Sequence, residues 1–596
     1  MKGKQAHLNA HVDHSYFVSK NVMITTAWVR DNSSIQIKTT LHSGGGEVIT
    51  KSIKSFNFIR PDVNKHFNDS DEVKSGIFYI FEIESDFEKT DLTIKISLGG
   101  VEKELNANIT DDAKSVMTAL SLMESIEFEE LNNSLLKKYS SLLILQADGK
   151  KMGPETLPGS LKIEIEHAFS ITGYGVFLQG WLIDADSNLA GIHIKQGSHV
   201  SNNLLESSTR FVRPDVNSLF PQYISSQCSA GLFGIAVNNQ FINGLNYELI
   251  MVTRTGDITT QVLEVITKSG DTVELIRSLL TPLDLTKARY QEELSGYLGE
   301  AIAYIWKNKA LPKQAVEIIE YGSQVDKPLC SIIIPIYGRY DFVLYQMTQF
   351  DTDAFMKNVE VIFVLDDPKI HSEFNAYCIS TSPLSSLGFK TVYGGSNRGY
   401  AGANNLGVAH ASADKILLLN SDVMPKYNNW LADLLSVFEK QKKIGILGAR
   451  LLFEDETIQH DGLKYHKLPS FQNLWLIDHP GKGLPEWLTT NNQLRKVSSV
   501  TGACMLMKKA TYQELGGLDE CYVLGDFEDS DLCLKALKAG YENYIDSSTS
   551  LYHLERQSQN LFNDTSWKFK LTIYNGLQHA KRWNSSIVKL LAQGNE

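Results

Sequence analysis

The chain reads as a multidomain α+β protein: two tandem β-sandwich-like N-terminal domains with helical connectors, then an α/β domain of mostly parallel sheet. Three observations predict this. A block of residues recurs at a fixed spacing in the first half. The segments around each copy have strand rather than helix character. From about Lys327 short apolar runs alternate with helical patterns. At 596 residues the chain exceeds what one hydrophobic core organises, so several domains are expected.

The repeat is Phe58-Ile59-Arg60-Pro61-Asp62-Val63-Asn64, which returns as Phe211-Val212-Arg213-Pro214-Asp215-Val216-Asn217, an offset of 153 (213 − 60). The same offset maps Trp28 onto Trp181, Asp31 onto Asp184 and His14 onto His167. Gly76-Ile77-Phe78 pairs with Gly231-Leu232-Phe233 after a small insertion. A constant offset over separated matches indicates two copies of one domain, placed at residues 1–110 and 151–275. Segments such as Met23 to Val29, Ser34 to Thr40, Ile77 to Ile83 and Leu92 to Leu98 mix β-branched and aromatic residues between Asn, Asp, Gly and Ser turns, so antiparallel sandwiches are expected. The Arg-Pro-Asp element is read as a rigid turn tied to the sheet in preference to a ligand contact. Helical spacing marks a connector at 111–150, with Val116, Leu120 and Met123. It marks a linker at 276–326, with Tyr290, Leu294, Leu298 and Ile302.

Residues 327–596 follow βαβ grammar. Ser331 to Pro335, Val359 to Leu365, Lys390 to Tyr393 and Lys415 to Leu419 are strand-like. Tyr340 to Phe350, His371 to Ser380 and Gly402 to Ala411 are helix-like between them. Ligands of such sheets sit beyond the C-terminal strand ends. Those ends carry Pro335-Ile336-Tyr337, Asp366-Asp367, Ser396-Asn397-Arg398-Gly399 and Asn420-Ser421-Asp422. One such polar group is an ordinary helix cap; four in succession look like a site.

Composition narrows the function. Hydrophobic content of 43% and charged content of 21% are those of soluble globular protein, and the net charge of −12 argues against a nucleic-acid partner. The N-terminal MKGKQAHLNAHVDH lacks a signal-peptide apolar run, and the runs at Ile332 to Ile334 and Ile416 to Leu419 are far too short to span a membrane. Cys228, Cys330, Cys378, Cys504, Cys521 and Cys533 form no CxxC pair or zinc spacing, so reduced, mostly buried thiols of a cytosolic protein are expected.

A nucleoside diphosphate needs acceptors for base and ribose, a cation for the phosphates, and small residues allowing close backbone approach. Asp366 and Asp367 suit the first need. Asp422 suits a hard divalent cation, Mn2+ or Mg2+. Gly399, Ala401, Gly402 and Ala403 open a helix that favours a phosphate nearby. No GxGxxG or Walker loop is present, which disfavours a dehydrogenase or P-loop kinase. Glu528-Asp529, within Asp526-Phe527-Glu528-Asp529-Ser530-Asp531, precede a helical pattern. They read either as first-turn acids favoured by the helix dipole or as a general base for an attacking hydroxyl. His553 taken alone is more often structural than a ligand.

In order, SIIIPIYGR, VIFVLDD, SNRGYAGANNLG, LLLNSDV, TGACMLMKK and EDSDLCLKALKAG resemble the signature of family 2 glycosyltransferases, with the nucleotide-sugar-binding GT-A fold. Within that family they resemble the rhamnosyltransferase-like enzymes of bacterial O-antigen and capsule synthesis. The resemblance covers about Cys330 to His553. It implies that Pro335 and Tyr337 line the nucleotide pocket and that Asp366 contacts the base. Asn397 and Gly399 are expected beside the nucleotide-sugar. Asn420-Ser421-Asp422 stands for the usual Asp-x-Asp, with Asp422 on the metal. Thr501-Gly502-Ala503 is expected near acceptor and sugar, Asp529 as the base beside Glu528, and His553 as a metal ligand. Two departures stand out: Pro368-Lys369 replaces the usual Gly-Ser after the second-strand acids, and Leu554-Glu555-Arg556-Gln557-Ser558 replaces a small-residue run, which gives Arg556 a candidate phosphate contact.

The expected activity is inverting transfer from a nucleotide-diphosphate sugar to a glycan or lipid-linked glycan. The expected setting is the cytoplasm, or its membrane face as a peripheral protein, alongside other biosynthetic enzymes. The alternatives are a non-catalytic glycan-binding or scaffold protein and a nucleotidyltransferase. The latter fits Tyr337-Gly338-Arg339-Tyr340 poorly, since such enzymes place a basic Gly-rich loop there.

Overall fold

In a computed structural model the chain divides into two compact units, Met1–Gly270 and Asp271–Glu596. The described residues are 8–592, except 20–21, 31–37, 44–45, 59, 68–74, 85–91, 99–100, 111–140, 143, 146–149, 153–159, 269–270, 288, 310–315, 468, 470–472, 490–492 and 555–565. Most of the 111–150 connector, and Arg556, therefore lie outside them.

The first unit begins with β1 (Asn9–Ser19), β2 (Val22–Arg30), β3 (Lys38–Ser43), β4 (Gly46–Glu47), β5 (Thr50–Phe58), the short helix α1 (Pro61–Phe67), β6 (Gly76–Ile83), β7 (Leu92–Leu98) and β8 (Val101–Asn106). They form two sheets, β1-β2-β6-β5 and β4-β3-β7-β8, around one core that includes Val12, Met23 and Phe81 of the first and Leu41, Ile94 and Ile96 of the second. Next come β9 (Lys150–Met152), β10 (Leu161–Ile171), β11 (Gly175–Asp184), β12 (Leu189–Gln196), β13 (His199–Val200), β14 (Ser208–Phe211), α2 (Pro214–Leu219), β15 (Gly231–Val237), β16 (Tyr247–Thr253) and β17 (Asp257–Leu263). Their sheets are β10-β11-β15-β14 and β13-β12-β16-β17-β9, again around a shared core.

The recurring Arg-Pro-Asp element has a local reason. In β1 the register shifts between Val12 and His14, and in β10 between Ile165 and His167. The residue set out of register is an acid each time, and a bulge turns its side chain away from the ladder. Arg60 donates to Asp13 at 2.6 Å and to Asp62 at 2.7 Å, while Arg213 donates to Glu166 at 2.8 Å and to Asp215 at 2.6 Å. The arginine thus ties the turn to the bulge. Trp28 packs on Phe67 and Trp181 on Phe220 at the same 153-residue offset, with ring centroids 5.7 and 5.5 Å apart.

The second unit opens with helices α3 (Thr272–Leu280), α4 (Tyr290–Ser295) and α5 (Tyr297–Lys307). Tyr290, Leu294, Leu298 and Ile302, the apolar positions of the linker pattern, are all buried. Strands β18 (Glu317–Tyr321), β19 (Cys330–Ile336), β20 (Val359–Leu365), β21 (Phe389–Tyr393), β22 (Lys415–Leu419), β23 (Val423–Pro425) and β24 (Ile444–Leu452) are interleaved with α6 (Phe342–Asp351), α7 (His371–Thr381), α8 (Gly399–Ala409) and α9 (Trp430–Lys440). Then come β25 (Ile458–His460), β26 (Lys464–Lys467), β27 (Trp475–Asp478), β28 (Leu494–Val497), β29 (Cys504–Lys508), α10 (Lys509–Glu514), α11 (Glu528–Lys538), β30 (Glu542–His553) and the long α12 (Ser566–Ala592).

The main sheet runs β18-β21-β20-β19-β22-β29-β24-β30-β23. Strands β21, β20, β19 and β22 are parallel, while β18, β29 and β23 pair antiparallel with their neighbours. The sheet is therefore mixed rather than mostly parallel throughout. Ile332 and Ile334 enter the core on one face and Ile333 the core on the other, which is why β19 is a continuous apolar run. The chain leaves β19 toward β20 on one side and reaches β22 on the other. That reversal opens a crevice at the carboxyl ends of these strands. Among the described residues no helix is long and apolar enough to cross a membrane.

Candidate active site

The expected residues stand at that crevice. Pro335 is the last residue but one of β19, and Tyr337 follows the strand with its phenol pushed up to about 12 by burial and by nearby Asp367, Asp271 and Asp366. Asp366 follows β20 and is buried. Its Oδ1 accepts from the Arg398 backbone N at 2.7 Å, and burial pushes its carboxyl up to about 8. Asp367 accepts from Lys369 N at 3.0 Å and caps the next turn, a local task. Asn397 accepts from Gly399 N at 2.9 Å. Gly399 has φ +73°, and a Cβ there would meet Trp306 Cζ2 at 3.0 Å and Leu524 Cα at 3.1 Å, so both the turn and the close packing require glycine.

Asp422 and His553 converge, with Oδ1 and Nε2 3.3 Å apart, because β23 pairs with the end of β30 and sets Val423 opposite His553. His553 is the last residue of β30 itself. Gln459 donates through Nε2 to His553 O at 3.1 Å, so its Oε1 accepts from His553 Nδ1–H. His553 Nε2 then faces both the Asp422 carboxylate and, at 3.5 Å, Asn420 Nδ2. A ring nitrogen and a carboxylate oxygen this close suit a shared cation. Asn420 Oδ1 beside them is buried without a partner. No group of three or more His, Cys, Asp or Glu gathers as a metal cage among the described residues. The donor set thus fits a divalent cation that takes its remaining ligands from phosphate and water.

The turn Thr501-Gly502-Ala503 joins the two ends of the site. Ala503 O accepts from Asn420 N at 3.0 Å, and Gly502 N donates to Asp529 Oδ2 at 3.0 Å. Gly502 O also accepts from Tyr400 OH at 2.7 Å. Asp529 Oδ1 accepts from Ser530 N at 2.7 Å. The pair opens α11 as the acidic pattern indicates, with Glu528 buried and Asp529 half-buried. Burial raises both carboxyls, Glu528 well above the usual range, and Glu528 Oε2 is buried without a partner. Ser421 sits between Asn420 and Asp422 in the turn from β22 to β23.

Several residues of the site are not evident from the motifs. Leu524, Asp526 and Phe527 all have positive φ (63°, 74° and 75°), an unfavourable backbone for non-glycine residues just before Glu528. Helix α12 holds it. Asn575 accepts from Val523 N at 3.0 Å, Thr572 donates to Asp526 at 2.7 Å, and His579 Nε2 lies 3.0 Å from Ser530 Oγ. Arg582 and Trp583 both donate to Asp531 Oδ1, so Asp531 is structural. The signal was present as polar residues at i, i+3 and i+4 spacing, but the exposed face of any helix looks the same.

The fold and the acidic strand ends define the class as an α/β domain with a nucleotide-type crevice. Residues 331–516 match the family described as "Glycosyl transferase family 2". Three curated proteins are similar over part of the chain. The uncharacterized protein y4gI of Sinorhizobium fredii is 31% identical over 160 residues, 27% of this chain and 17% of its own. The O-antigen biosynthesis protein RfbC of Myxococcus xanthus is 30% identical over 167 residues, 27% of this chain and 12% of its own. The low-salt glycan biosynthesis hexosyltransferase Agl10 of Haloferax volcanii is 23% identical over 184 residues, 29% of this chain and 52% of its own. The matches thus span between 12% and 52% of these relatives' lengths. The second unit thus contains a segment that matches glycosyltransferase family 2.

Proposed function

We propose that the chain transfers a glycosyl group from a nucleotide-diphosphate sugar to an acceptor hydroxyl with inversion, and that it serves synthesis of a surface polysaccharide such as O-antigen or capsule. The observation that carries the reading is the Thr501–Ala503 turn, which binds the Asp422 strand end on one side and Asp529 on the other. In this reading Asp366, Asn397 and Gly399 hold the nucleotide, with Pro335, Tyr337 and Asp367 lining its pocket. Asn420, Ser421, Asp422 and His553 face the diphosphate. A divalent cation, Mn2+ or Mg2+, held by Asp422 and His553, neutralises the phosphate oxygens when bound. Asp529 takes the proton of the acceptor hydroxyl as its oxygen bonds to the anomeric carbon and the nucleoside diphosphate departs from the opposite face. Glu528, with Thr501 to Ala503, shapes the acceptor side.

The acceptor is proposed to be a glycan or lipid-linked glycan at the cytoplasmic face of a membrane. Residues 9–266 are proposed to be two copies of one β-sandwich, on the strength of the matched sheet orders and arginine clamps. The test is release of nucleoside diphosphate from a panel of nucleotide-sugars with Mn2+ or Mg2+, by wild type and Asp529→Asn. Metal-dependent release by wild type, lost in the variant, supports the reading. No release from any donor, or equal release by both, rejects it.

A further inference from the structure

A lysine from ahead of the family-matched segment reaches the nucleotide end of the site. Two residues beyond α5, Lys309 Nζ donates to Arg398 O at 3.0 Å and lies 3.5 Å from the centroid of the Trp306 ring. Trp306 is buried, its indole N–H donates to Glu520 O at 2.7 Å, and its edge closes on Gly399. The backbone of Arg398 is therefore gripped at both ends, its C=O by the Lys309 ammonium and its N–H by the Asp366 carboxylate. Opposite charges stand on either side of one residue, Asp366 buried and Lys309 half-buried.

We propose that Lys309 is a positioning residue for the donor nucleotide: it pins the Arg398–Gly399 turn and favours the carboxylate form of Asp366, so that Asp366 accepts from an N–H of the nucleobase. This rests on the nucleotide-sugar reading above. The chemistry is specific. A protonated Asp366 offers a donor where the N–H of a base needs an acceptor, and burial pushes that carboxyl up to about 8 even with the Arg398 N–H and the Lys309 ammonium pulling it down. The groups facing Asp366 are Lys309, Arg398 and Tyr337, and Glu520 faces Lys309 from the other side. Lys309 is the cation among them that comes from outside the matched segment. Burial pulls its ammonium down to about 8, so each group favours the charged form of the other.

The test is calorimetric titration of the full chain with UDP, GDP, dTDP, CDP and ADP in Mn2+ between pH 6 and 9. Wild type is expected to bind at least one of them, more tightly as Asp366 ionises. Lys309→Met should weaken that binding about tenfold at pH 7 and move the acid limb about one unit toward higher pH, because the carboxylate has lost its cation. Lys309→Arg should keep most of the affinity. Lys309→Gln repeats the measurement should the Met variant not fold. If both neutral variants bind as wild type does, or lose the same factor at every pH, the assignment is overturned, since a merely structural lysine predicts no movement of the limb. If wild type binds none of the five, the proposed function fails and this inference with it, an outcome distinct from either result with the variants.

Discussion

Asp529 keeps each carboxylate oxygen on a backbone N–H, and that decides what its amide does. In Asp529→Asn one of Gly502 N and Ser530 N must face an NH2 group, and the basicity is gone. Turnover should fall by about two to four orders of magnitude while donor affinity stays within a few-fold. A capping role alone leaves turnover near wild type. A dead Glu528→Gln beside an active Asp529→Asn exchanges the two roles. Burial raises the Asp529 pKa, and the base acts only when ionised, so kcat/KM should decline as pH falls through that raised value. An acid limb at about 4, the ordinary aspartate range, contradicts the assignment. At the other end of the site, Asp422→Ala should weaken nucleotide-sugar binding and excess EDTA should abolish transfer. Full activity in EDTA removes the metal from the account. The placement of Asp366 and Asp422 after strands and of Asp529 in the first turn of a helix was legible because strand ends and helix starts are local features. The His553–Gln459 bond was not, since it joins positions 94 residues apart.

At the scale of elements, helix α12 sets the geometry of the acidic pair without supplying a catalytic group. His579 is buried beneath α11, and burial pulls its pKa down to about 4. The folded value lies below the unfolded one of about 6.5, so the contribution of neutral His579 is complete above that pH and is lost as pH falls toward 4. The loss amounts to about 3 kcal/mol. Urea unfolding of wild type and His579→Gln across this range should show the shallower acid decline in the variant. Parallel curves place the acid sensitivity elsewhere. The sequence shows α12 as a long helix but not its target, because helical spacing names a face and not the partner of that face. For strands the reverse holds: Ile332 to Ile334 are apolar at every position, and only burial on both faces produces that.

The whole molecule divides at Asp271, well before the first family motif. Helix α5 packs on α12, where a Cβ on Gly299 would lie 3.4 Å from Tyr574 Cε2, and Lys570 donates to Thr281 O at 2.7 Å. A fragment of residues 271–596 should therefore fold and bind the donor nucleotide with affinity close to that of the full chain. A fragment of residues 327–596 should be insoluble or bind poorly, because one face of α12 is stripped and Trp306 and Lys309 are gone. Equal binding by both fragments would show that α3 to α5 are dispensable. The recurring Arg-Pro-Asp block in the first unit was legible because a fixed offset survives divergence. The bulges at Asp13 and Glu166 were not, since an acid in a strand looks the same in or out of register.

The left-handed turn at Leu524, Asp526 and Phe527 has a consequence for how the protein is made. The residues that secure it, Thr572, Asn575 and His579, lie about fifty positions downstream, and the helix carrying them runs to Ala592. On a ribosome adding about 5–20 residues per second, the turn waits roughly 3 to 13 s for its support. During that interval the parallel strands β19 to β22 are already made, while Glu528 and Asp529 still lack their scaffold. On the proposed function, a ribosome-stalled chain ending before α12 should bind nucleotide without consuming it.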